Sequence, residues 1–154
     1  MYFELEKVDD LIVDYFIDIF HEYKNSNKPN VVVESDGCCT KNGFQTQNII
    51  GMVSDDIKQQ LFFGKFDDKE LVSLHMIEYE KEGYQTPHTH EHTGEKFALI
   101  LYLKTTDGAT VLHGKDYNVH VKPKKGTILF FDSTTVHSGE ISNEGKMVLV
   151  GSIK

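Results

Sequence analysis

The sequence predicts a mainly β fold of α+β character, in which a strand-rich C-terminal half forms a barrel or sandwich packed against N-terminal helices. Three observations carry this. From about residue 70 onward, short apolar or alternating runs recur at regular spacing between turn residues. Two of them, Phe97–Leu103 (FALILYL) and Thr127–Phe131 (TILFF), are apolar throughout, as strands buried on both faces are. Before residue 70 the strongest period is helical.

That helix spans residues 9–24, capped by Asp9 or Asp10, with Leu11, Ile12, Tyr15, Phe16, Ile19, Phe20 and Tyr23 on one stripe. Asn25-Ser26-Asn27-Lys28-Pro29 ends it. Val31–Val33 is a short strand, and the glycine-punctuated stretch Ser35–Phe44 reads as a loop. Ser54-Asp55-Asp56 caps a short helix running to Leu61–Phe63, and Phe66-Asp67-Asp68 is a turn. Leu71–Glu80 alternates loosely, Asp107-Gly108 turns the chain, and Ala109–Leu112 and Tyr117–Val121 are strands. Pro123–Gly126 turns it again, and Met147–Ile153 is the last strand. With 154 residues, the chain is expected to be one domain, residues 1–70 forming a helical and loop segment and 71–154 the β core.

A formal net charge of -8 excludes nucleic-acid binding through a general basic surface. The sequence contains no arginine, so a buried anion must be met by lysine or by neutral donors. The first residues, MYFELEKVDD, lack an apolar signal core, and no apolar run has the length of a membrane span. Cys38 and Cys39 are the only cysteines and are too close in sequence to bridge each other easily, which fits reduced thiols and a cytoplasmic location. Oligomeric state is not legible.

The chemistry concentrates at Pro87-His88-Thr89-His90-Glu91-His92 and at the isolated His137. On a strand, His88, His90 and His92 share one face. Neutral imidazoles there, joined by a histidine from a neighbouring strand, make a facial site for a divalent metal. His75, His113 and His120 lack a partner pattern and are read as structural or surface residues, and His21 belongs to the helix. Lys122, Lys124 and Lys125 read as a solvated turn.

Taken in order, these pieces resemble the double-stranded β-helix of the iron(II)- and 2-oxoglutarate-dependent oxygenases, especially the prolyl 4-hydroxylase-like group, from about Leu71 to Ile153. Ile77–Tyr84 looks like the approach to the first metal-binding strand, Pro87-His88 like the start of the proximal motif, and Asp107-Gly108-Ala109-Thr110 like the Gly-Gly-x-Thr turn. VKPKKG followed by LFFDSTTVH, ending at His137, is the closest match. The resemblance implies Fe(II) held by His88, His90 and His137, and 2-oxoglutarate contacted by Lys146, Tyr79 and Tyr102. It implies that dioxygen is used to hydroxylate a peptide, a protein or a small polar molecule. The sequence departs from the family's H-x-D/E pattern at His90, which makes the site one charge more positive. Glu91, His92 and Glu95 are alternative ligands. A cupin, which shares the barrel, is the competing resemblance; it would use His88, His90, Glu95 and His137 and need no 2-oxoglutarate.

Overall fold

The computed structural model describes residues 1–26, 31–32, 39–62, 65–66, 68–90 and 94–154. Val33, residues 35–38 of the expected loop, Asn27–Pro29, Phe63, Asp67, Glu91 and His92 lie outside them.

The elements run β1 (Phe3–Lys7), α1 (Asp10–Asn25), β2 (Val31–Val32), β3 (Thr40–Gln45), a 3-10 turn (Ile50–Met52), α2 (Asp55–Phe62), β4 (Leu71–His88), β5 (Phe97–Tyr102), β6 (Thr110–His113), β7 (Asn118–Val121), β8 (Thr127–Asp132), β9 (His137–Ser142) and β10 (Met147–Ile153). Asp9 caps α1, its carboxylate accepting from the Leu11 amide at 2.9 Å. The Ser54 hydroxyl accepts from the Ile57 amide at the start of α2.

The strands form one curled antiparallel array in the order β1-β8-β5-β10-β4-β9-β6-β7, with β3 against β4 and β2 against β3. The long strand β4 connects its two walls. Residues 71–78 pair with β10, and the same strand then pairs with β9 through Gly83↔Ser142, Gln85↔Gly139 and His88↔His137. Between these segments β4 bulges: its register against β3 jumps from Gly43↔Tyr79 to Lys41↔Tyr84, and Glu82 takes φ +66. Gly83 is required at this crossing because a Cβ there would lie 2.6 Å from the Asn42 carbonyl oxygen.

Side-chain alternation on β5, β8 and β10 divides the apolar residues between two cores. Leu99, Leu101, Ile128, Phe130, Met147 and Leu149 face outward and pack under α1, against Ile12, Val13, Phe16 and Phe20. Ala98, Ile100, Tyr102, Leu129, Phe131 and Val148 face inward and fill the barrel with Ile77 and Tyr79. This explains the unbroken hydrophobic runs: apart from partly exposed strand ends and Val150, both faces of these strands are buried.

Four expectations change. Residues 1–70 are not only helix and loop, because β1 adds to β8 (Phe3↔Phe131) and β3 adds to β4. Thr40–Phe44, expected as loop, lies within β3, whose pairing with β4 outweighs its polar composition. Leu11 is 75% exposed, and Val13 takes its place in the core. His137–Ser142 is a strand that the sequence reading left unassigned.

Candidate metal centre

His88 is the last residue of β4 and His137 the first of β9, and the two stand opposite each other in the ladder. Their ring centroids are 4.1 Å apart. His90 lies beyond the end of β4, not within it as alternation had suggested. Its amide donates to the Ser133 carbonyl, which turns the chain toward the β8–β9 connection. The turn still brings the ring to the same point: the His90 and His137 Nε2 atoms are 3.2 Å apart, and ligating atoms of all three histidines lie within 4.8 Å of one another. Phe131 packs edge-on against His137 from inside the barrel.

The hydrogen bonds fix the tautomers. His88 Nδ1 donates to the Thr86 carbonyl at 2.8 Å and His137 Nδ1 to the Thr135 carbonyl at 3.1 Å. A carbonyl only accepts, so Nδ1 carries the proton in both rings and Nε2 keeps its lone pair. His90 Nδ1 lies 3.4 Å from the Ser152 hydroxyl. Burial, with His88 and His90 alongside, pushes the His137 pKa down to about 2, so this imidazole is neutral at any physiological pH. With the His137 Nε2 lone pair aimed at His90 Nε2 at 3.2 Å, the contact needs a proton or a cation between the two nitrogens, and a divalent ion with bonds of about 2.0–2.1 Å spans such a gap. The donor set therefore fits a transition-metal ion that accepts imidazole.

Two residues deeper along β9, on the same face as His137, is Gly139. A Cβ there would lie 3.4 Å from the Lys146 ammonium and 3.3 Å from Gln85 Cβ. Lys146 is 3% exposed, its Nζ 5.1 Å from the Tyr79 ring centre. Among the described residues no carboxylate lies within ion-pair distance of it. Burial lowers its pKa to about 8, while Glu140 and Asp107 partly oppose the shift. Tyr79 and Tyr102 are both inside the barrel, and burial raises both phenols above their ordinary range. The Tyr102 hydroxyl donates to Thr110 Oγ1 at 2.6 Å.

Glu95 lines the cavity beside the histidines but is not one of the three residues whose ligating atoms converge. Glu91 and His92 lie outside the described residues. His75, read from sequence as structural or surface, also lines the cavity; a lone histidine on a loosely alternating strand gave no signal for it. His120 is exposed beside Glu140, and His113 meets Ser138 at 2.8 Å. Lys122, Lys124 and Lys125 are exposed, as expected.

Residues 74–153, just over half of the chain, match the model of the 2OG-Fe(II) oxygenase superfamily. The chain belongs to that superfamily. It is thus an enzyme of the class that uses Fe(II), 2-oxoglutarate and dioxygen. Comparison with curated proteins returns no match. Among solved structures, this oxygenase is similar to the viral collagen prolyl hydroxylase of Paramecium bursaria Chlorella virus-1 in complex with 2OG, at 18% identity and TM-score 0.70, over 99% of this chain and 96% of that one. It is also similar to a Pseudomonas putida prolyl-4-hydroxylase, at 13% identity and TM-score 0.69, over 99% and 91%. A third is a Trichoplax adhaerens prolyl hydroxylase in complex with a hypoxia inducible factor peptide fragment, at 10% identity and TM-score 0.70, over 97% and 82%. At these identities the likeness establishes the double-stranded β-helix fold.

Proposed function

We propose that this oxygenase holds Fe(II) through His88, His90 and His137, anchors the distal carboxylate of 2-oxoglutarate at Lys146, and hydroxylates a peptide or a small polar molecule. The observation that carries the assignment is the convergence of three imidazoles drawn from the end of β4, the turn after it and the start of β9. When bound there, the metal and its cosubstrate supply dioxygen activation coupled to decarboxylation, which side chains alone cannot provide.

The protein's own contributions follow from the geometry. Thr86 and Thr135 carbonyls hold the His88 and His137 rings with their lone pairs toward the common centre. With a pKa near 8, Lys146 is still largely an ammonium at pH 7 and meets a carboxylate as a point charge, without arginine's two-pronged fork. Gly139 leaves free the space in front of that ammonium. Tyr79 and Tyr102 flank the same depth of the barrel as protonated phenols, and Ile100, Leu129 and Phe131 keep it dry. With His90 in place of a carboxylate, the protein ligands carry no negative charge. The dianionic cosubstrate then supplies the charge balance.

The test is anaerobic loading with Fe(II) followed by 2-oxoglutarate. The expected result is a visible metal-to-ligand charge-transfer band that Lys146→Ala weakens. Bound iron without a band would overturn the 2-oxoglutarate assignment. If His90→Ala retained full iron affinity, His90 would not be a ligand.

A further inference from the structure

Thr40 on β3 is fully buried, in a segment whose polar composition reads as loop. A hydroxyl taken out of water needs partners, and those of Thr40 border the chamber in front of Lys146. Gln85 Nε2 donates to Thr40 Oγ1 at 3.2 Å. The Tyr79 phenol is the second partner: burial raises its pKa, and the hydrogen bond with the Thr40 hydroxyl partly opposes the rise. Gln85 and Tyr79 both flank the Lys146 ammonium. A Cβ built on Gly139 would lie 3.3 Å from Gln85 Cβ and 3.4 Å from Lys146 Nζ, and that Nζ is 5.1 Å from the Tyr79 ring centre. Gln85 also lines the cavity beside the histidines, so it borders the metal ligands and the Lys146 end at once.

The backbone is shaped to deliver this hydroxyl. β3 bulges between Lys41 and Gly43, where Asn42 takes φ +49, a left-handed conformation that asparagine tolerates. Opposite residues of an antiparallel ladder share a face, so Thr40, opposite Gln85, and Gly43, opposite Tyr79, both lie on the inner one. Gly43 leaves the room that Thr40 uses: a Cβ there would come within 2.9 Å of the Thr40 methyl. Tyr102 is held in the same manner, its hydroxyl donating to Thr110 Oγ1 at 2.6 Å. Each barrel phenol therefore has a buried threonine as its partner. A threonine hydroxyl that accepts from the Gln85 amide still has its own proton to give to the Tyr79 oxygen, which frees the phenol O–H for a carboxylate.

Resting on the metal and cosubstrate assignment above, we infer that Thr40 is a positioning residue of the 2-oxoglutarate site, holding the Tyr79 hydroxyl and the Gln85 amide beside the distal carboxylate that Lys146 meets. The full chain is loaded anaerobically with Fe(II), and its charge-transfer band is titrated with 2-oxoglutarate and with pyruvate, a 2-oxo acid that lacks the distal carboxylate. Thr40→Val keeps the shape and removes the hydroxyl; it should weaken 2-oxoglutarate binding five-fold or more and pyruvate binding less than two-fold. Thr40→Ser keeps the hydroxyl and removes the methyl group, and should stay within two-fold of wild type for both acids. Tyr79→Phe should show the same selective loss, and Thr40→Val should add a smaller factor to it than to the wild type. The inference is overturned if Thr40→Val binds 2-oxoglutarate as wild type does, if it loses both acids equally, if Thr40→Ser fails as Thr40→Val does, or if the losses of Thr40→Val and Tyr79→Phe multiply in full. Should Thr40→Val not fold, Gln85→Leu combined with Tyr79→Phe replaces it: losses smaller than the product support a shared anchor, and fully multiplicative losses overturn it. A wild type that holds iron yet gives no band with 2-oxoglutarate, or binds pyruvate as tightly, brings down the underlying assignment and the inference with it. A wild type that passes both checks confines any failure to Thr40.

Discussion

Replacing Lys146 with methionine should stabilise the ligand-free protein at neutral pH while removing its affinity for 2-oxoglutarate. The ammonium is 3% exposed and has no carboxylate within ion-pair distance among the described residues. Burial lowers its pKa from 10.5 to about 8. At about 1.4 kcal/mol per pKa unit, holding the charge inside costs the folded state about 3 kcal/mol at pH 7, an upper figure that local relaxation reduces. Between pH 8 and 10.5 the unfolded chain binds more protons than the folded one at this site, so wild-type stability rises with pH across that window. Below pH 8 both states carry the proton and the full cost remains. Methionine keeps most of the apolar stem and removes the charge. Urea unfolding of both proteins at pH 7 and pH 10, followed by circular dichroism, reads the difference directly, because other titrating groups cancel between them. The variant should be more stable by about 1–3 kcal/mol at pH 7, and the gap should shrink by pH 10. At one hundred times its dissociation constant, 2-oxoglutarate should add about 2.7 kcal/mol to the metal-loaded wild type and little to the variant. A variant less stable than wild type at pH 7 would refute the reasoning, since Lys146 would then have a stabilising partner in the barrel.

Two further substitutions probe the same chamber. Gly139→Ala places a methyl group 3.4 Å from the Lys146 ammonium and 3.3 Å from Gln85, so it should raise the KM for 2-oxoglutarate several-fold while iron affinity, measured by competitive chelation, stays near wild type. Ser152→Ala removes the hydroxyl beside His90 Nδ1 and should weaken iron binding on the scale of about ten-fold typical of ligand-supporting contacts; unchanged affinity would show that His90 is oriented without it.

The central strands were legible because burial on both faces writes itself into composition: β5, β8 and β10 read as apolar runs and stand where expected. α1 was legible from its stripe, although at its first turn the stripe put Leu11 inside in place of Val13. Strands β1 and β9 were not. FELEK is charged at alternate positions and joins the sheet only by pairing with β8, more than a hundred residues later. HSGEIS is polar because its inward positions include His137 and Gly139, chosen for the site and not for packing. Spacing and the ordered family pieces singled out His88, His90 and His137, whose ligating atoms do converge, yet the convergence of His90 depends on a turn that ladder alternation does not foresee. His75 could not be singled out, because its place in the cavity comes from the pairing of β4 with β10.

Strands that are greasy on both sides carry little information about how they should align, since sliding one by a single position exchanges two equally oily faces. In this barrel the misfits supply the alignment. The phenol of Tyr102 on β5 meets Thr110 on β6, a strand that is not its ladder partner, and the hydroxyl of Ser152 on β10 lies beside His90 just after β4. Such polar contacts thus act as keys to the alignment of strands across the barrel. Stripping the chamber of its polar groups would do more than silence an enzyme: it would leave the central strands free to settle in more than one alignment.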